Sequence, residues 1–237
     1  MRLLAFETST EGCSVALWLD GEVRERFEVA PRRHAELALP WAEALLADAG
    51  IARAQLDAVA VGRGPGAFTG VRLGVALAQG IALALDLPVL PVSTLRALAM
   101  RGMAEMFEGS RILAAIDARM GEIYAATFHV EGGEPQGQGN EVVIAPTDHV
   151  LPGEDDGWIG VGTGFAAGEG ILQTKLAPRF SRIDSTALPH AADVARLAAT
   201  AFARGEALPA DKLEPAYLRN NVALTLAEQQ AQRANKL

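Results

Sequence analysis

The chain has 237 residues, enough for one large domain or two domains of ordinary size. Its formal net charge of −8 at pH 7 argues against a protein that binds nucleic acid by itself, because such proteins need a basic surface. Cys13 is the only cysteine, so no internal disulfide forms, and Met1-Arg2 leads into an apolar run rather than a signal peptide. The sequence therefore predicts a cytoplasmic protein with no membrane segment.

Residues 1–30 predict three antiparallel strands, at 3–6, 14–19 and 22–30, with Asp20-Gly21 as a hairpin turn. A tight turn of hydroxyls and acids separates the first two strands. Actin-like ATPase domains begin in this way, and their first turn wraps a phosphate with backbone N–H groups and small hydroxyls. The candidate residues for a weak nucleotide or phosphate site are Glu7, Thr8, Ser9, Thr10 and Gly12.

Residues 34–49 predict a helix with an apolar side formed by Leu37, Trp41 and Leu45. His34 is the first residue of this helix and a candidate metal ligand. A metal pair on a helix needs a second ligand one turn later, at i+4, and that position is Ala38. We therefore predict no metal at this helix.

Residues 56–74 carry the most distinctive pattern, an apolar strand, a glycine-rich turn and the start of a helix. Thr69 is the candidate N-cap of that helix. An anion could bind at the helix start beside Arg72, or the glycines could only allow helix and strand to pack closely. The second interpretation is favoured, because the Walker spacing and the Gly-x-Gly-x-x-Gly motif are both missing.

The predicted helix over 71–85 has no charged residue between Arg72 and Asp86. A helix that is apolar on all sides is buried on all sides, so one face covers its own sheet and the other needs a second partner, which can be another chain. The run is too short and too rich in Gly and Ala for a membrane span. The predicted partner interface consists of Leu37, Trp41, Leu45, Val71, Arg72, Gly74, Val75, Ala78 and Ala82.

The strand-and-turn pattern of the N-terminus occurs again in the second half of the chain. Residues 111–122 predict a strand, an acid and a polar turn, and superposing 3–7 on 113–117 places Asp117 on Glu7. Two similar halves follow, 1–108 and 109–237, and the C-terminal segment of the second half can pack back on the first. Further predictions are helices at 94–106 and 190–204, a loop at 132–140, a strand at 142–144, and a strand that runs into a second glycine turn over 158–164.

Four segments resemble the bacterial TsaB family: Glu7-Thr8-Ser9-Thr10, and residues 64–72, 117–124 and 215–219. The resemblance implies an α/β fold of two actin-like (ASKHA, RNase H-like) halves, each a mixed sheet flanked by helices. It also implies a role in placing threonylcarbamoyl on N6 of adenosine 37, in tRNAs that read codons beginning with A.

In that family the protein is a non-catalytic scaffold that activates a metal-dependent transferase, its TsaD-type paralogue. The resemblance further implies a TsaE-type ATPase as partner, contact with tRNA through the complex, and a possible homodimer when the chain is alone. No cofactor is expected to be held tightly by this chain, although ATP or ADP can bind within the complex.

The alternative is an enzyme in its own right, an actin-like small-molecule kinase or an M22-like metallopeptidase. Ala38 stands where the catalytic paralogue carries the second histidine of His-x-x-x-His, which counts against the peptidase. Glu7 is one methylene longer than the aspartate of many actin-like ATPases, which counts against independent nucleotide hydrolysis. We therefore predict no catalytic residue in this chain.

Overall fold

The computed structural model describes residues 1–102 and 107–219 and shows two lobes, each built on a five-stranded mixed sheet. The strands of lobe 1 are β1 (Arg2–Glu7), β2 (Gly12–Leu19), β3 (Glu22–Val29), β4 (Ala58–Gly62) and β5 (Val89–Val92). The strands of lobe 2 are β6 (Arg111–Arg119), β7 (Glu122–Glu131), β8 (Glu134–Ile144), β9 (Trp158–Val161) and β10 (Phe180–Asp184).

The two sheets have the same strand order and the same directions. Lobe 1 runs β3-β2-β1-β4-β5 and lobe 2 runs β8-β7-β6-β9-β10. In each sheet the first three strands of the chain are antiparallel, and the last two add in parallel beside the first. The predicted fold of two similar actin-like α/β halves is confirmed. The predicted division between residues 108 and 109 stays a prediction.

Within the residues that the structure describes, five α-helices cover the sheets, namely α1 (His34–Asp48), α2 (Phe68–Leu85), α3 (Thr94–Met100), α4 (Ala167–Leu176) and α5 (Ala191–Ala203). Helices α1 and α2 pack on the outer face of the lobe 1 sheet. Helix α3 follows β5 in the chain but packs on lobe 2, whereas α5 follows β10 but packs on lobe 1. Each inner sheet face is thus covered by a helix that follows the other sheet in the chain, which joins the lobes through packed cores.

Several predicted boundaries differ from the structure. The segment 132–140, predicted as a loop, lies largely in β8, because backbone pairing with β7 stabilises a strand despite its Gly and Gln residues. The helix predicted over 94–106 ends at Met100, and its positions 103–106 lie outside the described residues. Positions 220–237 of the predicted second half also lie outside them.

The start of α2 was also predicted incorrectly. The helix begins at Phe68, and its N-cap is Ala67 in an extended conformation without a side-chain cap, so Thr69 already lies in the first turn. The Ala67 N–H donates to the carbonyl of Ser9, which fixes this entry by tertiary contact rather than by a capping side chain. By length and composition α2 could span a membrane, yet its inward residues pack against the sheet.

Candidate partner surface and interlobe cleft

The inward stripe of α2 is part of this chain's own core. It consists of Val71, Gly74, Val75, Ala78 and Ala82, all buried, and three of them pack with the strands of lobe 1 in one core cluster. Close approach to the turn after β1 requires glycine, since a Cβ at Gly70 would overlap the carbonyl oxygen of Thr8. These five residues were predicted at the partner interface; in the structure they are buried within the chain itself, and the interface stays a prediction.

The outward stripe of α2 is exposed and carries no charge. It consists of Ala76, Gly80, Leu83 and Ala84, and we call these four residues the outer stripe. Leu83 is 66% exposed, and a Cβ at Gly80 would meet nothing within 4 Å. Small residues at helical spacing allow another helix backbone to approach closely, so this stripe is the part of α2 that suits a partner helix.

Helix α1 lies beside α2 and adds large apolar side chains to the same face of lobe 1. Leu37 and Trp41 are half-buried against the core, whereas Leu45 is buried in it. Leu39 is exposed, although the sequence analysis did not select it. Leu39 lies on the other side of α1 from Leu37 and Trp41, because residues two apart do not share a helix face. We call Leu37, Trp41 and the outer stripe together the α1/α2 surface. Exposed apolar residues that cluster on adjacent elements mark binding sites more often than isolated ones do.

The turn after β1 is closed by hydrogen bonds within the chain. Glu7 is fully buried, and its two carboxylate oxygens accept from the Ser9 N–H at 2.7 Å and the Thr94 hydroxyl at 3.2 Å. Burial raises the pKa of Glu7 above its ordinary value, despite these hydrogen bonds. The Thr8 hydroxyl donates to the carbonyl of Gly70 at 2.8 Å. Groups that could hold a phosphate are therefore already occupied.

The glycine loop before α2 lies directly on this turn. The Ala67 N–H bonds to the Ser9 carbonyl at 2.7 Å, and a Cβ at Gly66 would overlap the same oxygen. This geometry matches the interpretation that the glycines allow close packing. Of the candidate nucleotide residues, Ser9 and Thr10 line the interlobe cleft, whereas Glu7, Thr8 and Gly12 are not among its lining residues.

The cleft between the lobes has a volume of about 710 Å³. Lobe 1 contributes Thr10 and Glu11 to its wall, and lobe 2 contributes Asp117 and Arg119. Asp117 accepts hydrogen bonds from the backbone N–H of Arg119 at 2.8 Å and from its guanidinium at 2.6 Å. Beside these two carboxylates the cleft is lined by three arginines, Arg32, Arg119 and Arg219, so its charge does not exclude an anionic ligand.

His34 is the residue of α1 that the sequence analysis considered as a metal ligand. Its Nε2 is 3.2 Å from the carbonyl oxygen of Gly12, and Ala38 is fully buried one turn later. Within residues 1–102 and 107–219, no three His, Cys, Asp or Glu side chains come together as a metal site would require.

Arg72 was predicted as an interface residue, but its two aromatic neighbours were missed. Its guanidinium lies 3.2 Å from the Phe68 ring centroid and 4.7 Å from that of Tyr217. It also donates to the carbonyl of Phe68 at 3.2 Å. The i−4 spacing of Phe68 could have indicated the first contact. The second joins residues 145 positions apart and has no local signal.

The chain was compared with known proteins. The family model described as "TsaD: tRNA N6-adenosine threonylcarbamoyltransferase" matches residues 27–226. The "tRNA threonylcarbamoyladenosine biosynthesis protein TsaB" of Escherichia coli K12 is 43% identical over 229 residues, which is 94% of this chain and 96% of that protein. The protein of the same name from Haemophilus influenzae is 39% identical, over 94% of this chain and 95% of its own.

Solved structures give the same relationship. A crystal structure of an uncharacterized Pseudomonas aeruginosa protein, described as similar to peptidase YeaZ, superposes with a TM-score of 0.84 at 43% identity, covering 92% of this chain and 99% of that one. A structure described as YeaZ from the same organism superposes with a TM-score of 0.82, with equal identity and coverage.

Proposed function

The chain belongs to the TsaB family, and from this membership we propose that it acts in tRNA threonylcarbamoyladenosine biosynthesis as a non-catalytic scaffold. It supports a TsaD-type, metal-dependent paralogue in the cytoplasm. That paralogue transfers threonylcarbamoyl to N6 of adenosine 37 in tRNAs that read codons beginning with A. The observation that carries this proposal is the α1/α2 surface, an uncharged helical face with small residues at its centre.

The α1/α2 surface fits a partner that also presents two helices. A paralogue with the same fold would place its own counterparts of α1 and α2 against it and form a four-helix interface. Gly80 and the alanines of the outer stripe allow short distances between helix axes, while Leu37, Trp41 and Leu83 supply apolar area. A second copy of this chain can use the same surface when the paralogue is absent.

The proposal of a non-catalytic subunit rests on the chemistry of the turn and of α1. Glu7 is buried and hydrogen-bonded within the chain, so it has no route to a metal-bound water. Ala38 offers no ligand beside His34. Neither observation favours a kinase or a metallopeptidase over a scaffold.

In this proposal, the nucleotide and the other partners bind to the complex and not to the free chain. ATP or ADP binds within the complex, where a TsaE-type ATPase joins the pair, and tRNA is reached through the complex. The free chain should bind ATP weakly or not at all, because the Thr8 hydroxyl already donates to the Gly70 carbonyl and the Ser9 N–H already donates to Glu7. Isothermal titration calorimetry with ATP tests this, and a submicromolar dissociation constant for the chain alone would contradict it.

Two substitutions on the outer stripe test the partner surface. Ala76→Arg and Gly80→Arg place a cation where a partner helix would bury it, at a cost of roughly 3 kcal/mol or more, which lowers affinity about a hundredfold. Ala203→Arg is the matched control, because Ala203 is also exposed at the end of a helix but lies away from α1 and α2.

Light scattering on mixtures of each variant with the TsaD-type paralogue measures whether the heterodimer forms. We expect both stripe variants to stay folded and to lose the heterodimer, while the Ala203→Arg chain pairs normally. Normal pairing of both stripe variants would place the interface elsewhere and remove the main support for the proposal.

A further inference from the structure

We propose that residues 213–219 form a strap across the mouth of the cleft that locks the two lobes at one separation. The strap starts in lobe 1, where Leu213 is buried in the core that α1 and α2 cover. The side-chain amide of Gln79, on α2, donates to the carbonyls of Ala210 at 3.2 Å and Leu213 at 3.0 Å. Gln79, the one strongly polar side chain of α2 after Arg72, thus anchors the beginning of the strap.

The middle of the strap follows the loop after β4. The Ala216 N–H donates to the carbonyl of Arg63 at 2.8 Å. One residue later, the Tyr217 ring faces the Arg72 guanidinium, which already lies over Phe68. These contacts keep the strap on lobe 1 until it reaches the cleft.

The end of the strap binds lobe 2. The Arg219 guanidinium donates to the Glu122 carboxylate and to the carbonyl of Ala118, the latter at 3.3 Å, and a third contact reaches the Met120 sulfur at 3.6 Å. All three acceptors lie at the turn between β6 and β7. A guanidinium shared by a carboxylate and a carbonyl is a strong, directional anchor.

A second contact joins the lobes where β5 leads into α3. The Ser93 hydroxyl donates to the Glu141 carboxylate on β8. Arg96 holds α3 on lobe 2, where it donates to the carbonyl of Pro135 at 2.8 Å and to Glu134 at 2.9 Å. Two-lobed enzymes open and close around a hinge when they bind ligands. The strap and the Ser93 contact oppose that motion, so the chain presents its surfaces as one rigid body. This inference concerns the chain alone and does not depend on any partner.

Spin labels on the two lobes test the strap in the full chain. We would label Ala47→Cys on α1 and Ala166→Cys at the lobe 2 edge of the cleft, both exposed. Native Cys13 does not interfere, because it is buried and its thiol pKa is raised to about 11, chiefly by burial. Pulsed electron resonance then gives the distribution of distances between the lobes.

Arg219→Gln removes the lobe 2 anchor, and Ala216→Pro removes the N–H that bonds to Arg63. We expect a single narrow distance distribution for the parent chain and a broader, longer one for each variant. Lys212→Gln is the control, since Lys212 lies just before the strap and its ammonium pairs with neighbouring Asp211. Distributions of both variants that superpose on the parent would overturn the proposal.

Hydrogen exchange is a second measurement, and it tests the strap even if the Ala216→Pro variant does not fold. In the Arg219→Gln chain, the amide of Ala216 should exchange faster by roughly tenfold or more, the change expected when a hydrogen bond to a charged group is lost. Unchanged exchange at Ala216 in this variant would contradict the strap in the same way.

Discussion

The two lobes share a strand order but cover the outer faces of their sheets differently. Lobe 1 carries two full helices there, α1 and α2. Lobe 2 carries the segment 145–157 and α4, which is interrupted by left-handed residues at 168–170 and is therefore short. Large side chains such as Trp158 and Phe165 fill the space that helices fill in lobe 1. The repeat thus determines the sheets, whereas the outer layer determines which lobe can present a helical surface.

The acidic residues at the equivalent turns of the two lobes also differ, in how far they are buried. Glu7 ends β1 in full burial, whereas Asp117 near the end of β6 lines the cleft with a quarter of its side chain exposed. The loop before α2 covers Glu7, whereas the glycine turn after β9 bonds to the backbone of Asp117 through the Thr163 hydroxyl and leaves the carboxylate partly exposed. A carboxylate at the same topological position is therefore structural in one lobe and open to ligands in the other.

The largest expected effect separates the two stripes of α2. Ala78→Arg would force a cation into the lobe 1 core, where Ala78 is fully buried, at a cost of roughly 5 kcal/mol, enough to prevent folding of a marginally stable chain. Ala76→Arg, two residues away on the outer stripe, should change the free energy of unfolding by less than about 0.5 kcal/mol. Urea unfolding followed by circular dichroism measures both, and equal stability of the two variants would invalidate the assignment of the stripes.

The second prediction concerns the side chains that cover lobe 2. Trp158→Ala removes the largest fully buried side chain and should destabilise the chain by about 3–4 kcal/mol through lost packing and a cavity. Trp41→Ala on α1 is the matched control, since Trp41 is only half-buried and should cost less than half as much. Thermal unfolding measures the loss of stability in each variant. A larger loss for Trp41→Ala than for Trp158→Ala would contradict the prediction.

The sequence predicts most of the strands, though not β10 or the first part of β8, because the signals of the others are local. Alternating or continuous apolar runs and the Asp20-Gly21 turn determine strands without knowledge of the rest of the fold. The superposition of Glu7 on Asp117 also predicts the repeat, which the two strand orders confirm.

The site was harder to predict because its features depend on packing between distant residues. The sequence shows two small-residue stripes on α2 but not which of them faces the sheet, and the inward one was chosen. Burial of Glu7 depends on Thr94, and the position of Arg72 depends on Tyr217. Such contacts become visible only when the chain has folded.

The third prediction concerns how α5 docks on lobe 1. One oxygen of Glu25, on β3, accepts from the Ser14 hydroxyl at 2.6 Å and the Ala192 N–H at 2.9 Å, and the other lies 2.9 Å from His190 Nδ1. Burial opposes ionisation, but these hydrogen bonds outweigh it and lower the pKa of Glu25. Glu25→Gln should therefore destabilise the chain by about 1–2 kcal/mol at pH 7.

The sign of the pH dependence follows from that lowered pKa. Between the folded and the unfolded pKa of Glu25 the unfolded state binds more protons, so this stabilisation is present above the unfolded pKa and is lost as the pH falls through the folded pKa. The stability difference between the parent chain and Glu25→Gln should shrink in the same range. Urea titrations from pH 7 to pH 3 measure it, and a constant difference would show that the charge of Glu25 does not dock α5.

The smallest expected effect concerns Glu7, and its sign is opposite. Burial raises its pKa above the ordinary value for a glutamate, so between the unfolded and the folded pKa the folded state binds more protons than the unfolded state. The stability of the parent chain should thus fall as the pH rises from the unfolded pKa through the folded one. Glu7→Gln keeps an oxygen for the Ser9 N–H but has no proton to release, so it should be similar to the parent near pH 4 and more stable at pH 8, by about 1 kcal/mol or less. Asp117→Asn is the matched control from lobe 2, because Asp117 is partly exposed and bonded to Arg119, and its substitution should bring no gain at pH 8. If Glu7→Gln instead loses stability at pH 8, the ionised carboxylate of Glu7 stabilises the loop before α2. The turn of lobe 1 would then contain a charged carboxylate, as the turn of lobe 2 does.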